Sequence, residues 1–186
     1  MTIPTSGKEF LVPGDGAEAE LESLRARVAE LEVLAFRDGL TRLFNRRHFD
    51  IAVQRWIARV QRYGGDHVLL FIDINNLKSV NDSHGHVVGD RLLTAVADVL
   101  AAHVRMADVA ARIGGDEFGL LLEHITEAGT AIKIEDLSRL LSDVTVHSAN
   151  GLVRCSCAIG QARIQPDDTA ETLLDRADRD MYCAKA

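Results

Sequence analysis

Cysteine, proline and aromatic residues are all scarce in this chain. Its 186 residues include three cysteines, three prolines and one tryptophan, and aromatics make up 5%. Cys155, Cys157 and Cys183 are odd in number and lack the paired spacing of a zinc site, which excludes a small fold held by disulfides. On a regular strand Cys155 and Cys157 share one face, an arrangement that does not favour a bridge, so all three are expected to be reduced thiols. Long apolar runs are missing as well. None approaches the roughly 20 residues of a membrane span. Residues 1–16, polar with Pro4, Gly7, Pro13, Gly14 and Gly16, do not read as a signal peptide. The expectation is a cytoplasmic protein without a membrane partner. Positive charge is in deficit, with 21 Lys and Arg against 28 Asp and Glu, a net −7 and a pI near 5.5. That balance argues against a general nucleic-acid binder. An acidic chain that handles an anion must compensate locally with lysines, helix N-termini or metal ions.

What is present is enough apolar residue, 47%, for one ordinary domain with an appendage. Residues 1–16 read as a flexible segment. Residues 17–37 follow, with Leu21, Leu24, Val28, Leu31 and Ala35 at alternating steps of three and four and Glu and Arg between them. This heptad seam suits a parallel two-helix coil; a single amphipathic helix lying on its own domain is the alternative. Residues 38–186 form the main domain.

The main domain opens with Asp38-Gly39-Leu40-Thr41-Arg42-Leu43-Phe44-Asn45, two of whose residues, Asp38 and Asn45, are of cap type. A helix from Asn45 to about Tyr63 should bury Phe49, Val53, Ile57 and Val60 and stop at Gly64-Gly65. Arg46 and Arg47 in its first turn oppose the helix dipole and suggest an acidic or anionic partner, or else a solvated pair. The apolar run 68–72 predicts a central strand buried on both faces, ending at Asp73. Residues 75–90 read as a polar loop, with an amphipathic helix over 90–103. Helices are further expected over 131–145 and 170–184, the last packing Leu173, Ala177, Met181 and Tyr182 on the sheet. A strand is expected over 153–158, ended by Ile159-Gly160.

Two stretches carry chemistry. Arg112-Ile113-Gly114-Gly115-Asp116-Glu117-Phe118 lies between two strand-like runs, and its paired glycines suit a tight turn that reaches positive φ. Adjacent carboxylates at that turn repel each other, and a divalent metal resolves the repulsion, although solvated acids on an ordinary hairpin would do so too. The loop after Asp73 offers an amide at Asn81, a carboxylate at Asp90 and a cation at Lys78. Such groups can read a guanine edge and meet a phosphate; a polar turn and helix cap is the plainer alternative.

The spacing Asp73, Lys78, Asn81-Asp82, Gly85-His86, Gly89-Asp90, followed by the heptapeptide 112–118, resembles the GGDEF domain of diguanylate cyclases. The opening residues 38–47 and the closing set Leu173-Leu174, Ala177-Asp178, Tyr182 and Ala184-Lys185 match the family too. The resemblance runs from about Arg37 to the C-terminus. It implies an α/β sandwich with an antiparallel sheet core of nucleotidyl-cyclase or polymerase-palm type, flanked by helices and preceded by the helical arm. It implies condensation of two GTP into cyclic di-GMP by a homodimer of half-sites. Asp73, Asp116, Glu117 and the Ile74 carbonyl would hold two Mg²⁺ or Mn²⁺ ions per site, with Asp116 as proton acceptor. Gly114 and Gly115 would admit phosphates, Asn81 and Asp90 would select guanine, and Lys78 and Lys185 would neutralise phosphate charge. Arg105 and Asp108, five residues ahead of the glycines, match the family's inhibitory site, where cyclic di-GMP binds, and Arg139 could assist. A phosphate-binding arginine expected four residues after Lys185 has no counterpart in this sequence. A domain that only binds GTP or cyclic di-GMP is the alternative implied by the same resemblance.

Overall fold

The computed structural model describes residues 15–149 and 151–184, so Lys185 and residues 1–14 lie outside it. The described chain divides into two units, at Ala35 and Phe36. The first is carried by α1 (Asp15–Phe36). The heptad positions predicted for it form one exposed stripe: Leu21, Leu24, Val28 and Leu31 are each about half exposed, at 48–58%. No helix among the described residues is long and apolar enough to cross a membrane.

The second unit is a four-stranded sheet covered on both faces by helices. Its elements run α2 (Arg46–Tyr63), β1 (Val68–Ile74), α3 (Leu77–His84), α4 (His86–Ala102), β2 (Val109–Arg112), β3 (Glu117–Leu122), α5 (Glu127–Ser142), β4 (Thr145–Ser148), β5 (Gly151–Arg154), β6 (Cys157–Arg163) and α6 (Ala170–Ala184). The sheet order is β2-β3-β1-β6, with every pair antiparallel; β4 and β5 form a separate ribbon. The unbroken apolar run of β1 therefore marks the central strand, as its composition predicts. Alternate residues leave β1 in opposite directions. Val68, Leu70, Ile72 and Ile74 join a core with Leu92, Val96, Leu100, Leu137 and Leu141 from α4 and α5. Leu69 and Phe71 join the other core, with Phe49, Val53, Leu173 and Ala177 from α2 and α6.

Local signals place several ends where the sequence puts them. Asn45 caps α2, accepting from the His48 N–H at 3.1 Å, and Gly64 ends that helix at φ 68°. Other expectations need correction. Residues 75–90 are not a loop: α3 and the start of α4 occupy most of it, broken at Gly85 with φ 84°. Only Leu77 of α3 is buried, so no apolar period announced a helix. β1 extends past Asp73 to Ile74. The strand expected over 153–158 is two strands with a break at Cys155 and Ser156, and β6 continues past Gly160 to Arg163. α5 starts earlier than predicted, capped by Thr126, and residues 145–148 leave it for β4. Tyr182 is 74% exposed and does not pack on the sheet.

Two glycines let helices approach the sheet. Gly119 and Gly160 both stand opposite Phe71 in the register. A Cβ at Gly119 would come 2.5 Å from the Phe49 ring of α2, and one at Gly160 would come 2.2 Å from the Met181 backbone nitrogen of α6. A ring can turn aside, whereas a helix backbone cannot. Gly160→Ala should therefore cost about 1–3 kcal/mol, the scale of an overpacked core, while Gly119→Ala should cost less. Chemical denaturation of the two variants measures the difference; equal midpoints would contradict the close approach of α6.

Candidate functional site

The site grows from one end of the sheet. Asp73 is the penultimate residue of β1 and stands directly opposite Glu117 on β3. Cross-strand partners share a face, with Cβ atoms about 4.5–5.5 Å apart. By alternation that face is the one covered by α2 and α6. Asp116 precedes Glu117 in the turn, and its carbonyl accepts from the Ile74 N–H at 3.0 Å. The three carboxylates predicted to act together are thus brought to one rim by a strand end and the neighbouring hairpin.

The hairpin turn is closed by the Ile113 and Gly114 N–H groups, both donating to the Glu117 carbonyl at 2.9 and 3.3 Å. Its glycines are not used as expected. Neither Gly114 nor Gly115 adopts positive φ. A Cβ at Gly114 would lie 2.2 Å from Glu117 Oε2, the movable end of a flexible side chain, and Gly115 faces open space.

Burial pushes the Glu117 carboxyl above its usual range, and the charges of Asp116 and Asp73 push it the same way, against Arg46. Desolvation and neighbouring like charges both disfavour the ionised form of a carboxyl. Among the described residues no group of three His, Cys, Asp or Glu side chains is placed to hold a metal ion by itself. The donor set is all hard oxygen and mutually repelling, and so fits a divalent cation completed by backbone carbonyl, substrate or water oxygens.

On the α3 and α4 side of the same rim lies a cavity of about 430 Å³, lined by Leu77, Lys78, Asn81, Asp90, Arg112 and Asp116 among others. Lys78 and Asn81 are three apart on α3 and so share a face. The break at Gly85 turns the chain so that Asp90, in the second turn of α4, faces the same space. Asn81 Oδ1 is buried and meets no hydrogen-bond partner in the protein. It lies against Gly89, where a Cβ would come within 1.9 Å of it. A second cleft of about 350 Å³ opens on the other face, lined by Arg46, Phe71, Glu117, Leu174, Asp175 and Asp178. Arg46 there also pairs with Asp50 at 2.9 Å, so its first-turn charge is answered within α2.

Arg112 is the residue the sequence reading left without a role. Its guanidinium donates to the Gly115 carbonyl at 2.7 Å and to Asp38 Oδ1 at 3.4 Å, joining the opening loop to the glycine turn. Asp38 also accepts from the Thr41 N–H and hydroxyl at 2.8 and 2.7 Å. Burial alone would raise the Asp38 carboxyl, but these hydrogen bonds and the Arg112 charge outweigh it and hold the pKa below the usual value. An arginine beside two glycines, with an unassigned aspartate in the opening motif, was the available signal.

The predicted pair Arg105 and Asp108 lies away from this rim, beside a cavity of about 200 Å³ shared with Lys133 and Asp136. Both Asp108 oxygens are already engaged, accepting from the Arg105 N–H at 2.8 Å and the Glu123 N–H at 3.0 Å. Asp108 therefore shapes the turn, and Arg105 is left exposed. Arg139 does not line that cavity; it pairs with Asp136 at 3.4 Å.

The family model described as diguanylate cyclase, GGDEF domain, matches residues 35–186. The diguanylate cyclase DgcS of Shewanella oneidensis is 34% identical over 158 residues, covering 84% of this chain and 52% of that protein. The bifunctional diguanylate cyclase/cyclic di-GMP phosphodiesterase MucR of Pseudomonas aeruginosa is 40% identical over 165 residues, 88% of this chain and 24% of that protein. The chain thus spans about half or less of these relatives. Among solved structures, the coiled coil and GGDEF domain of DgcB from Caulobacter crescentus, in complex with c-di-GMP, superposes with a TM-score of 0.84 at 28% identity, covering 91% of each chain.

The raised Glu117 pKa has a thermodynamic consequence. The folded state holds that proton more tightly than the unfolded state, so the stability it contributes is full below the ordinary glutamate value near 4.5 and is lost as pH rises through the folded pKa. At neutral pH and without divalent ions, Glu117→Gln should melt at a higher temperature than the parent, and the gap should close in acid. Thermal melts across pH measure this; a lower melting temperature at neutral pH would contradict the electrostatic account.

Proposed function

The chain belongs to the GGDEF domain family of diguanylate cyclases, and from that premise we propose that it condenses two GTP into cyclic di-GMP, releasing two pyrophosphates. The observation that carries the reading is the placement of Asp73 opposite Glu117 at one sheet end, with Asp116 in the adjoining turn lining the cavity that holds Lys78, Asn81 and Asp90.

The guanine base enters the α3 and α4 cavity. Asp90 accepts from the ring N–H and exocyclic amine, and the Asn81 amide meets the same base edge. Lys78 meets phosphate as a point charge. Lys185, beyond the described residues, is assigned the same task. Two Mg²⁺ or Mn²⁺ ions, held by Asp73, Asp116, Glu117 and the Ile74 carbonyl, would supply positive charge at the α-phosphate and make the ribose 3′-hydroxyl more acidic. Asp116 accepts the proton of that hydroxyl. The freed oxygen forms a bond to the α-phosphorus of the second GTP, and the bond to pyrophosphate breaks. The same exchange in the opposite sense closes the ring.

Each domain binds one GTP, so two must face each other as a homodimer of half-sites. The exposed Leu21, Leu24, Val28 and Leu31 stripe supports a parallel coil through α1, which would raise the effective concentration of one half-site for the other. The exposed Arg105, on a turn held by Asp108, is assigned to product binding and inhibition. Its guanidinium can fork onto a phosphate or guanine edge.

The test is turnover of GTP with Mg²⁺, with the product identified by mass. Asp116→Asn should lower the rate by about 10²-fold or more, the range for loss of a general base, with the folded signal unchanged. A variant that turns over at the parent rate would remove Asp116 from the mechanism.

A further inference from the structure

α3 is eight residues long and buries one of them, Leu77. A helix of that length is marginal in water by itself. Its N-terminus has no side-chain cap, and Asn76 enters it at φ 59°. Yet α3 carries Lys78 and Asn81, which line the cavity beside Asp116. Its place is set from outside, by packing on α4 and by two serines on either side of β5.

The serines bond to opposite ends of the helix. Asn75, the first residue after β1, stands opposite Ser156 when the β1 and β6 register is continued one step past Ile74 and Cys157. The Asn75 N–H donates to the Ser156 carbonyl at 2.8 Å, and Asn75 Nδ2 donates to the Ser156 hydroxyl at 2.9 Å. At the far end, Nδ1 of His84, the last residue of α3, lies 2.9 Å from the Ser148 hydroxyl. That hydroxyl donates its own proton to the Gly151 carbonyl at 2.9 Å, across the turn of the β4 and β5 ribbon. It therefore accepts from His84, which assigns the imidazole proton to Nδ1. Neither serine lines the cavity.

We propose that Ser148 and Ser156 are positioning residues for the nucleotide pocket, bracing the two ends of α3 and so fixing where Lys78 and Asn81 meet a guanine nucleotide. They touch no reacting atom. Asp73 and Glu117 stand on paired strands and Asp116 on the turn before β3, so the carboxylates do not rest on α3. Loss of the brace weakens nucleotide binding and leaves the chemical step. The backbone bond from Asn75 to Ser156 survives a change of the serine side chain, which keeps the end of β1 in register. The effect on nucleotide rests on the cyclase reading above; the brace itself does not.

The test uses the full chain with Ser148→Ala, Ser156→Ala and the two combined. Hydrogen exchange over residues 77–84 should quicken in each, and most in the double variant. KM for GTP should rise about threefold to tenfold for each lost hydroxyl, the scale of one hydrogen bond, with kcat unchanged. Ser148→Thr and Ser156→Thr, which keep the hydroxyl, should restore both readings. Asn75→Ala removes the same side-chain bond from the other partner and should reproduce Ser156→Ala, which guards against a serine variant that fails to fold. Parent-like exchange over 77–84 in the double variant, or a fall in kcat with KM unchanged, would overturn the proposal. A parent chain that turns over no GTP would count against the cyclase reading alone, since exchange still decides the brace.

Discussion

The repulsion between Asp73 and Glu117, facing each other across β1 and β3, is the constraint on which the rest of the site depends. Antiparallel pairing fixes the two carboxylates on one face and at one level of the sheet. The hairpin adds Asp116 beside them, and burial raises the free-energy cost of the cluster further. Charge–charge repulsion of this kind destabilises the fold and is tolerated where function requires it. In the proposed reaction, the cations that accompany a nucleoside triphosphate would relieve that repulsion.

The fold spends its architecture on holding that rim. β1 is buried on both faces and cannot shift register without moving every core side chain. α2 and α6 press close on one face through Gly119 and Gly160, and α3 and α4 build the pocket on the other. Arg112 then joins the opening loop to the glycine turn, through Asp38 on one side and Gly115 on the other. Any strain reaching the opening loop has a direct polar route to the turn that carries Asp116.

Much of this was legible in the residues. The apolar run of β1 announced a central strand, Asn45 announced the start of α2, and Gly64 its end. The acidic residues around Gly114-Gly115 and the polar set at Lys78, Asn81 and Asp90, singled out from the sequence, lie along one rim of the sheet and its adjoining cavity. α3 was missed because it buries one residue and therefore carries no helical apolar period. The break between β5 and β6 was missed because Val153, Cys155 and Cys157 alternate as a continuous strand would. The positive φ expected at Gly114-Gly115 is absent, since a glycine pair suits a tight turn of either kind and does not by itself fix the turn's conformation. Arg112 could not be assigned from sequence, since its partner Asp38 is 74 residues away.

The central claim, that carboxylates from a strand end and a neighbouring turn share a cation, is tested most directly by the electron paramagnetic resonance signal of Mn²⁺. The titration is made with a non-hydrolysable GTP analogue present, for the parent chain and for Asp73→Asn. The account predicts a protein-bound Mn²⁺ population in the parent that is lost or greatly weakened in Asp73→Asn, with the fold intact. Equal Mn²⁺ binding by the two chains, or none by the parent, would contradict it.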